Sequence, residues 1–500
     1  MRKVLLINPT ITKARHARFP LAIMSLANAI EHRFAPTIID GNVDHDYIAK
    51  ACSAVREQRI DAVGVTVMGG PQIPTAAAVS KAIRAVSPQT PIIWGGYFPT
   101  ICPVPSIGAP FVDYVIRGQG EVALLDLLQA MFPIDEAALE AIAGLTWQRR
   151  GLVVHNKDRL FTTAPSERSL PYARLENPGQ YLGRTYLGRR TAGYQAALGC
   201  RFRCTFCGVA TMFKGKTALP TAARLKHDLA ILKNDLGADA IQFYDHNFFD
   251  REVDMVPLLE VLAALELPWW CFARSDALLN LSEASWKLVR KSGLRMAYIG
   301  AESPDDKLLR EVRKGTRADQ TLAVVEKCRS NGVIPELSFM LAPPDDPEGA
   351  TERTFEFIRE IKRVYPRTEI MIYIYTPLPT SPHSAQSRSH ATRALLDVEG
   401  HPIVFPDSVE EWSSPKWVNY WCHMDAPWMS ERLRRRILDF TTVLGCRFPT
   451  ITDIRSPPLG KAALRVLASW RYRFQKYGHP WELDLSQRII RLHNPRASSL

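Results

Sequence analysis

The chain has 500 residues, 46% of them hydrophobic and 23% charged, with a formal net charge of +12; that is an ordinary globular composition over a length that one hydrophobic core does not serve, so two or three packed domains are expected. Nine cysteines are too sparse for a disulfide scaffold and point to a reducing compartment. The opening MRKVLLINPT has too short an apolar run for a signal peptide or membrane span, so a soluble cytoplasmic protein is expected.

From residue 1 to about 130, apolar runs at Val4–Ile7, Thr37–Ile39, Ala62–Val67, Ile92–Trp94 and Tyr114–Ile116 alternate with helical patterns near 20–32, 46–58, 74–86 and 121–131. Strands separated by single helices predict right-handed βαβ units in a doubly wound, Rossmann-like parallel sheet, with ligands at the carboxyl ends of its strands. Those ends carry Gly69-Gly70, Gly95-Gly96 and Gly118-Gln119-Gly120-Glu121. Each glycine could serve only a tight turn, but all of them at one end of one sheet favour a bound cofactor.

Residues 136–190 read as a connector, with a hairpin over Leu145–Asn156 and turn formers near Pro165, Pro171 and Pro178. A second series follows. Tyr194–Leu198, Ala240–Tyr244, Trp269–Ala273, Met296–Ile299, Ile334–Met340 and Glu369–Tyr373 read as strands, with helices near 221–236, 254–265, 282–292, 317–331 and 350–364. Six βα units predict a partial (βα)6 barrel whose chemistry lies at the C-terminal strand ends. The expected boundaries are therefore 1–135, 136–190, 191–385 and a helical tail of 386–500.

Cys200, Cys204 and Cys207 stand as C-x3-C-x2-C just after the first strand of that barrel. Structural zinc wants four ligands, and His227, the next candidate, is a helix-length away. Three thiolates suit a cubane cluster with one open iron. The other six cysteines are scattered and read as buried small hydrophobes.

The triplet, with Phe206 before its last cysteine, resembles the radical S-adenosylmethionine (SAM) superfamily. The resemblance implies a [4Fe–4S] cluster on Cys200, Cys204 and Cys207, whose open iron is chelated by SAM. Cleavage of that SAM then yields a 5′-deoxyadenosyl radical, the cofactors carrying the hard chemistry. It also implies SAM contacts from Tyr244 and Asp245 after the second strand, Arg274 after the third, Glu302 after the fourth, and Ser338 with the Phe339–Pro344 segment on the fifth. Ala342 stands where that family usually has glycine. Tyr375–Thr380 resembles the end of the sixth strand, again without a glycine.

The domain in front resembles that of the cobalamin-binding subclass through Asn8-Pro9, Pro20-Leu21, Asp61–Gly64, Gly95–Thr100 and Gly118–Glu121. Cobalamin contacts are implied for Asn8, Thr66, Val67, Met68, Gly69, Gly95, Gly96, Tyr97, Gly118, Gly120 and Glu121. The Asp-x-His-x-x-Gly motif that supplies a lower cobalt ligand elsewhere is absent, so a cobalt without a histidine beneath it is expected.

In the tail, Trp412, Trp417, Trp421, Trp428, Trp470 and Trp481 are expected to pack a helical subdomain. The last hundred residues hold 15 Lys and Arg against 9 Asp and Glu. Their densest basic run, Arg432 and Arg434–Arg436, reads as a solvated helix face rather than a nucleic-acid site.

The function implied is C-methylation of an unactivated carbon on a small natural-product or lipid-like substrate, with flavodoxin or ferredoxin as electron donor. Cobalamin-assisted cyclisation, ring contraction or oxygen insertion without methyl transfer is the alternative, and a non-catalytic sensor a third.

Overall fold

A computed structural model describes residues 1–161, 169–379, 397–398, 401–454 and 456–493. Pro165, Thr380 and the start of the predicted tail at 386–396 lie outside the described residues.

The first sheet holds β1 (Lys3–Asn8), β2 (Ala35–Asp40), β3 (Ala62–Thr66), β4 (Ile92–Gly95) and β5 (Tyr114–Ile116), all parallel, in the order β2-β1-β3-β4-β5. Helices Leu21–Ile30, Tyr47–Glu57 and Gln72–Val86 fall between them, and Glu121–Ala130 follows β5. Both faces are covered, so the central strands can be apolar throughout. Val4, Leu5, Leu6 and Ile7 are fully buried, Leu5 and Ile7 in one core and Val4 and Leu6 in the other. The hairpin β6 (Leu145–Arg149) and β7 (Leu152–His155) does not stand free in the connector. It adds antiparallel to β5, where Tyr114 pairs Trp147, because Leu145 and Trp147 are apolar enough to complete the edge.

The second sheet holds β8 (Thr191–Tyr194), β9 (Ala240–Phe243), β10 (Trp269–Ala273), β11 (Leu294–Glu302), β12 (Ile334–Leu341) and β13 (Glu369–Ile374), parallel and adjacent in chain order. The first strand ends four residues before its predicted limit. Leu198-Gly199 instead pairs antiparallel with Thr217-Ala218, because Gly199 turns the chain at φ +82°. Side chains alternate as a strand requires. Trp269, Cys271 and Ala273 join the core beneath the helices, whereas Trp270 packs with Met296, Ile334, Phe272 and Tyr298 on the inner face.

The tail divides between the two domains. Helices Val409–Trp412 and Pro415–Trp421 bury Trp412, Trp417 and Trp421 in the core of the first domain, with Phe98 and Ile73. Helices Glu431–Arg447 and Pro458–Arg473 pack against the barrel, where Phe440 stacks on Phe355 at 3.7 Å. Trp470 and Trp481 stay largely exposed. In the basic run, Arg434 pairs with Asp425, Arg435 with Asp439 and Arg436 with Glu352.

Candidate functional site

Strand order in the first sheet reverses between β1 and β3, which opens a crevice at their carboxyl ends. Gln72 closes its base. Its amide donates to Asn8 Oδ1 (2.9 Å) and the Pro9 carbonyl (2.7 Å) and accepts from the Met68 amide (2.7 Å), while Asn8 donates to Asp40 Oδ1 at 3.0 Å. Next to this network, Gly69, Gly96 and Gly118 have φ of +127°, +101° and +76°, which glycine adopts without steric cost. Thr100 Oγ1 accepts from the Gly118 amide at 2.9 Å and donates to the Gly96 carbonyl at 2.6 Å, tying two of the turns together.

Thr66 and Val67 lie so close to Gly96 that a Cβ there would sit 3.0 Å from each, and Val67 donates to the Gly95 carbonyl at 2.8 Å. Met68 is 53% exposed above them. Gly120 packs on Leu26, and Glu121 accepts from Ser25 Oγ at 2.7 Å; these are helix-packing contacts. His16 and His45 are both exposed. Bare backbone along one sheet edge fits a large cofactor held by main chain and packing.

The cysteine loop meets this edge. Tyr97, on the short helix Tyr97–Ile101, packs against the helix Gly208–Phe213 that follows Cys207. A Cβ on Gly208 would lie 1.9 Å from the Tyr97 hydroxyl. Burial, and then the neighbouring Cys207, push the Tyr97 phenol up. The tail covers the same place: a Cβ on Gly69 would lie 2.0 Å from the Trp421 indole nitrogen, and one on Gly70 2.8 Å from Cys422 Sγ.

Among the described residues no three His, Cys, Asp or Glu side chains converge as a ready metal site. The three thiols nonetheless act on one another. Burial first, and then Cys204, push Cys200 up and Cys207 up to about 11. Metal binding is what deprotonates and gathers such thiols. One loop carrying three half-buried or buried thiols, with a guanidinium nitrogen of Arg274 at 4.0 Å from Cys204 Sγ, fits a three-thiolate cluster.

Around that loop the barrel mouth is charged and buried. Arg274 is bidentate to Asp276 (2.9 and 3.1 Å), donates to the Lys314 carbonyl (2.6 Å), and lies 3.6 Å from the Phe202 ring centroid. Glu302 pairs with Lys314 at 2.7 Å, both buried, and Ser338 Oγ stands 3.5 Å from its other oxygen. A register shift between Gly300 and Glu302 and a φ of +64° at Glu302 re-aim that carboxylate. Gly300 leaves the room, since a Cβ would come within 2.1 Å of Glu302 and 2.5 Å of Lys314.

Phe206 packs with Leu308, Val312, Met340 and Tyr375 beside Lys314. Tyr244 donates to Gln242 at 2.8 Å under the Arg18 guanidinium. Asp245 is fully buried, with one oxygen accepting from the Ala197 amide and Oδ2 unpartnered; burial pushes it up to about 8. Ala342, where glycine was the family expectation, takes φ +55° regardless, and its carbonyl accepts from Trp428 at 2.8 Å.

Sequence reasoning missed Gln72, Lys314 and His423, and expected Trp421 in a helical subdomain rather than over the turns of the first domain. His423 is a half-buried tail residue hydrogen-bonded to Thr376, its pKa pushed down by burial. Lys314 carried a faint signal in the Arg313–Thr316 turn; the others join only through the fold.

Residues 194–358 match the Radical SAM superfamily, and residues 8–128 match the B12 binding domain. The chain is a radical SAM enzyme with a B12-binding domain. Its cofactors are accordingly a [4Fe–4S] cluster, SAM and cobalamin. It is 24% identical over 372 residues to an uncharacterised methyltransferase of Pyrococcus horikoshii, covering 72% of this chain and 76% of that one. It is 26% identical to the hopanoid C-3 methylase of Methylococcus capsulatus (66% and 62% covered) and 23% to the anaerobic magnesium-protoporphyrin IX monomethyl ester cyclase of Rubrivivax gelatinosus (60% and 54%).

Two solved structures share the fold. OxsB with aqua-cobalamin and SAM gives a TM-score of 0.71 at 15% identity, covering 95% of this chain and 71% of that one. TsrM from Kitasatospora setae with cobalamin and a [4Fe–4S] cluster gives 0.62 at 16%, covering 94% and 99%. No helix among the described residues is long and apolar enough to cross a membrane.

Proposed function

We propose that this enzyme methylates an unactivated carbon of a small-molecule substrate, with Cys200, Cys204 and Cys207 holding the cluster. The observation that carries this reading is the direct packing of Tyr97, at the edge of the B12-binding domain, on Gly208 beside Cys207. A methyl donor and an activated carbon react only when held close and away from water. The bound cofactors supply the radical that activates the carbon and the methyl group it receives.

The chain's own residues orient and shield. Glu302, with Lys314 and Ser338, offers buried charge to the amine and carboxylate of SAM, and Arg274 faces Cys204 from a position fixed by Asp276 and Phe202. Asp245, with an unpartnered oxygen, is a further acceptor for the amine. Asn8, the glycine turns at Gly69, Gly95, Gly96 and Gly118, and Thr66–Met68 cradle cobalamin through backbone. Trp270, Phe272 and Tyr298 line the inner barrel face, where their rings exclude water from substrate. Methylase- and methyltransferase-named relatives support the reading.

Anaerobic turnover with SAM carrying a deuterated methyl group tests it. The expected result is 5′-deoxyadenosine together with a product bearing the deuterated methyl, and replacing Cys204 by Ala removes both. A rearranged product without the label would favour ring closure instead, a reading that the cyclase-named relatives support. Persistence of 5′-deoxyadenosine in the Cys200, Cys204 and Cys207 triple variant would sink the cluster assignment.

A further inference from the structure

The basic excess of the tail is not absorbed by the Arg432–Arg436 run, where Arg434, Arg435 and Arg436 each have a carboxylate. Two tail arginines, Arg447 and Arg465, instead join four cations of the barrel. At the opposite end of the barrel from the cysteine loop, the end of helix Pro347–Val364 and the start of β13 meet the chain after helix Glu431–Arg447 and the helix Pro458–Arg473. Between them lies a cleft of about 570 Å³, lined by Arg359, Lys362, Arg363, Arg367, Arg447 and Arg465.

One carboxylate, Glu369, faces these six cations, and it already accepts from the Ile451 amide at 3.0 Å. Among the described residues Arg363, Arg367, Arg447 and Arg465 have no ion pair, and Arg359 pairs with Glu356 at 3.5 Å while donating to the Tyr472 carbonyl (2.8 Å) and the Tyr477 hydroxyl (2.7 Å). Lys362 is buried, and its ammonium donates only to the carbonyls of Pro366 and Thr368. Burial pushes it down to about 8, against Glu369, which pushes it up, and with a smaller push down from Arg447. Like charges brought together in partly desolvated surroundings raise the energy of the fold, and a bound anion is what lowers it.

We infer that this cleft binds a small molecule carrying two or more linked phosphates, at a site remote from the cluster. Three features select this chemistry. Guanidinium groups present paired donors that match phosphate oxygens. The volume lies in the range of small-ligand sites rather than of an extended stripe for a nucleic-acid backbone. The rings present are taken up by cations: Phe448 has Lys362 at 4.5 Å and Arg447 at 4.6 Å from its centroid, and Tyr472 has Arg359 at 5.3 Å. They position charge for phosphates rather than offer faces to a base.

Calorimetric titration of the cofactor-loaded full chain with inorganic pyrophosphate and with ATP, at fixed ionic strength, tests the inference. Saturable one-to-one binding is expected, with affinity at least about tenfold weaker in the Arg447→Ala/Arg465→Ala double variant, a change of about 1.4 kcal/mol. The Arg465→Ala single variant, altered at an exposed side chain, guards against misfolding and should weaken binding less. SAM cleavage without added phosphate should be unchanged in both variants, which separates this site from the methyl-transfer reading. Binding of pyrophosphate identifies free polyphosphate as sufficient, and binding of ATP alone identifies a nucleotide as the source. No binding, equal binding by the double variant, or binding only of a nucleic-acid duplex or of anionic vesicles would overturn the proposal.

Discussion

The two sets of strand ends that meet at Tyr97 and Gly208 are built on opposite principles. On the first domain the edge is main chain and ring: glycines at positive φ, Met68 exposed, and Trp421 and Tyr97 packed over the turns. Across the contact the barrel mouth is buried charge, with the Glu302–Lys314 pair, Arg274 beside Cys204, and Asp245 with an unpartnered oxygen. Backbone and rings suit a large ligand with little directional charge; buried, incompletely paired charge suits a small zwitterion. The difference agrees with a B12-binding domain on one side and a radical SAM domain on the other.

The comparison breaks most severely at Glu302. Replacing it by Gln strands the Lys314 ammonium in a buried site, a loss of about 3–5 kcal/mol of stability for an ion pair broken on one side. SAM cleavage should fall with it. In the double variant Glu302→Gln/Lys314→Met stability should recover while SAM affinity does not, because the carboxylate then matters for the ligand beyond the fold. Denaturant unfolding paired with SAM titration checks both. Recovery of SAM binding along with stability would reduce Glu302 to a structural ion pair.

Much of this contrast was legible in the sequence, and the rest was absent for physical reasons. Alternating apolar runs and helical periods mark ten of the eleven parallel strands, since burial on both faces leaves a strong signal. The first barrel strand is the exception: Tyr194–Leu198 reads as extended, yet the strand is Thr191–Tyr194, sharing only Tyr194, and Leu198-Gly199 pairs with Thr217-Ala218. The hairpin at Leu145–His155 was visible as a hairpin, but its docking on β5 depends on an edge that no local pattern encodes. Trp421 reaches the site through Gly69, far off in the chain, and Lys314 meets Glu302 through a pairing that no local pattern announces. Ala342 shows the converse: the left-handed conformation persists at φ +55° without the glycine that would have announced it.

On the other side of the comparison, Gly69→Ala places a methyl 2.0 Å from the Trp421 indole nitrogen, at a φ of +127°. Strain at such a backbone position costs about 1–3 kcal/mol, and the indole must move as well. Cobalamin retention should therefore drop while the iron content and SAM affinity stay near wild type, because nothing at the barrel mouth is touched. Substituting Trp421→Leu in the same chain should restore part of the stability but not the backbone approach. Equal loss of cobalamin and SAM binding in Gly69→Ala would mean that the two edges form one unit rather than two.

The mildest test titrates the charged side alone. Asp245 is held at about 8 by burial, far above the 3.8 of an ordinary aspartate. A carboxyl whose pKa is raised on folding favours the folded state fully below its unfolded pKa, and that contribution is lost as pH rises through the folded value. Wild-type stability should thus decline between about pH 4 and pH 8 relative to Asp245→Asn, which keeps the shape and the acceptor for Ala197 but cannot ionise. Thermal unfolding of both proteins across that range, first without and then with SAM, reads the effect. If the SAM amine sits at the unpartnered Oδ2, it stabilises the carboxylate, and added SAM should flatten the wild-type slope while leaving the Asn variant unmoved. Parallel stability curves without SAM would remove the shift, and a slope indifferent to SAM would place its amine elsewhere, leaving Glu302 as the acceptor at that end of the barrel.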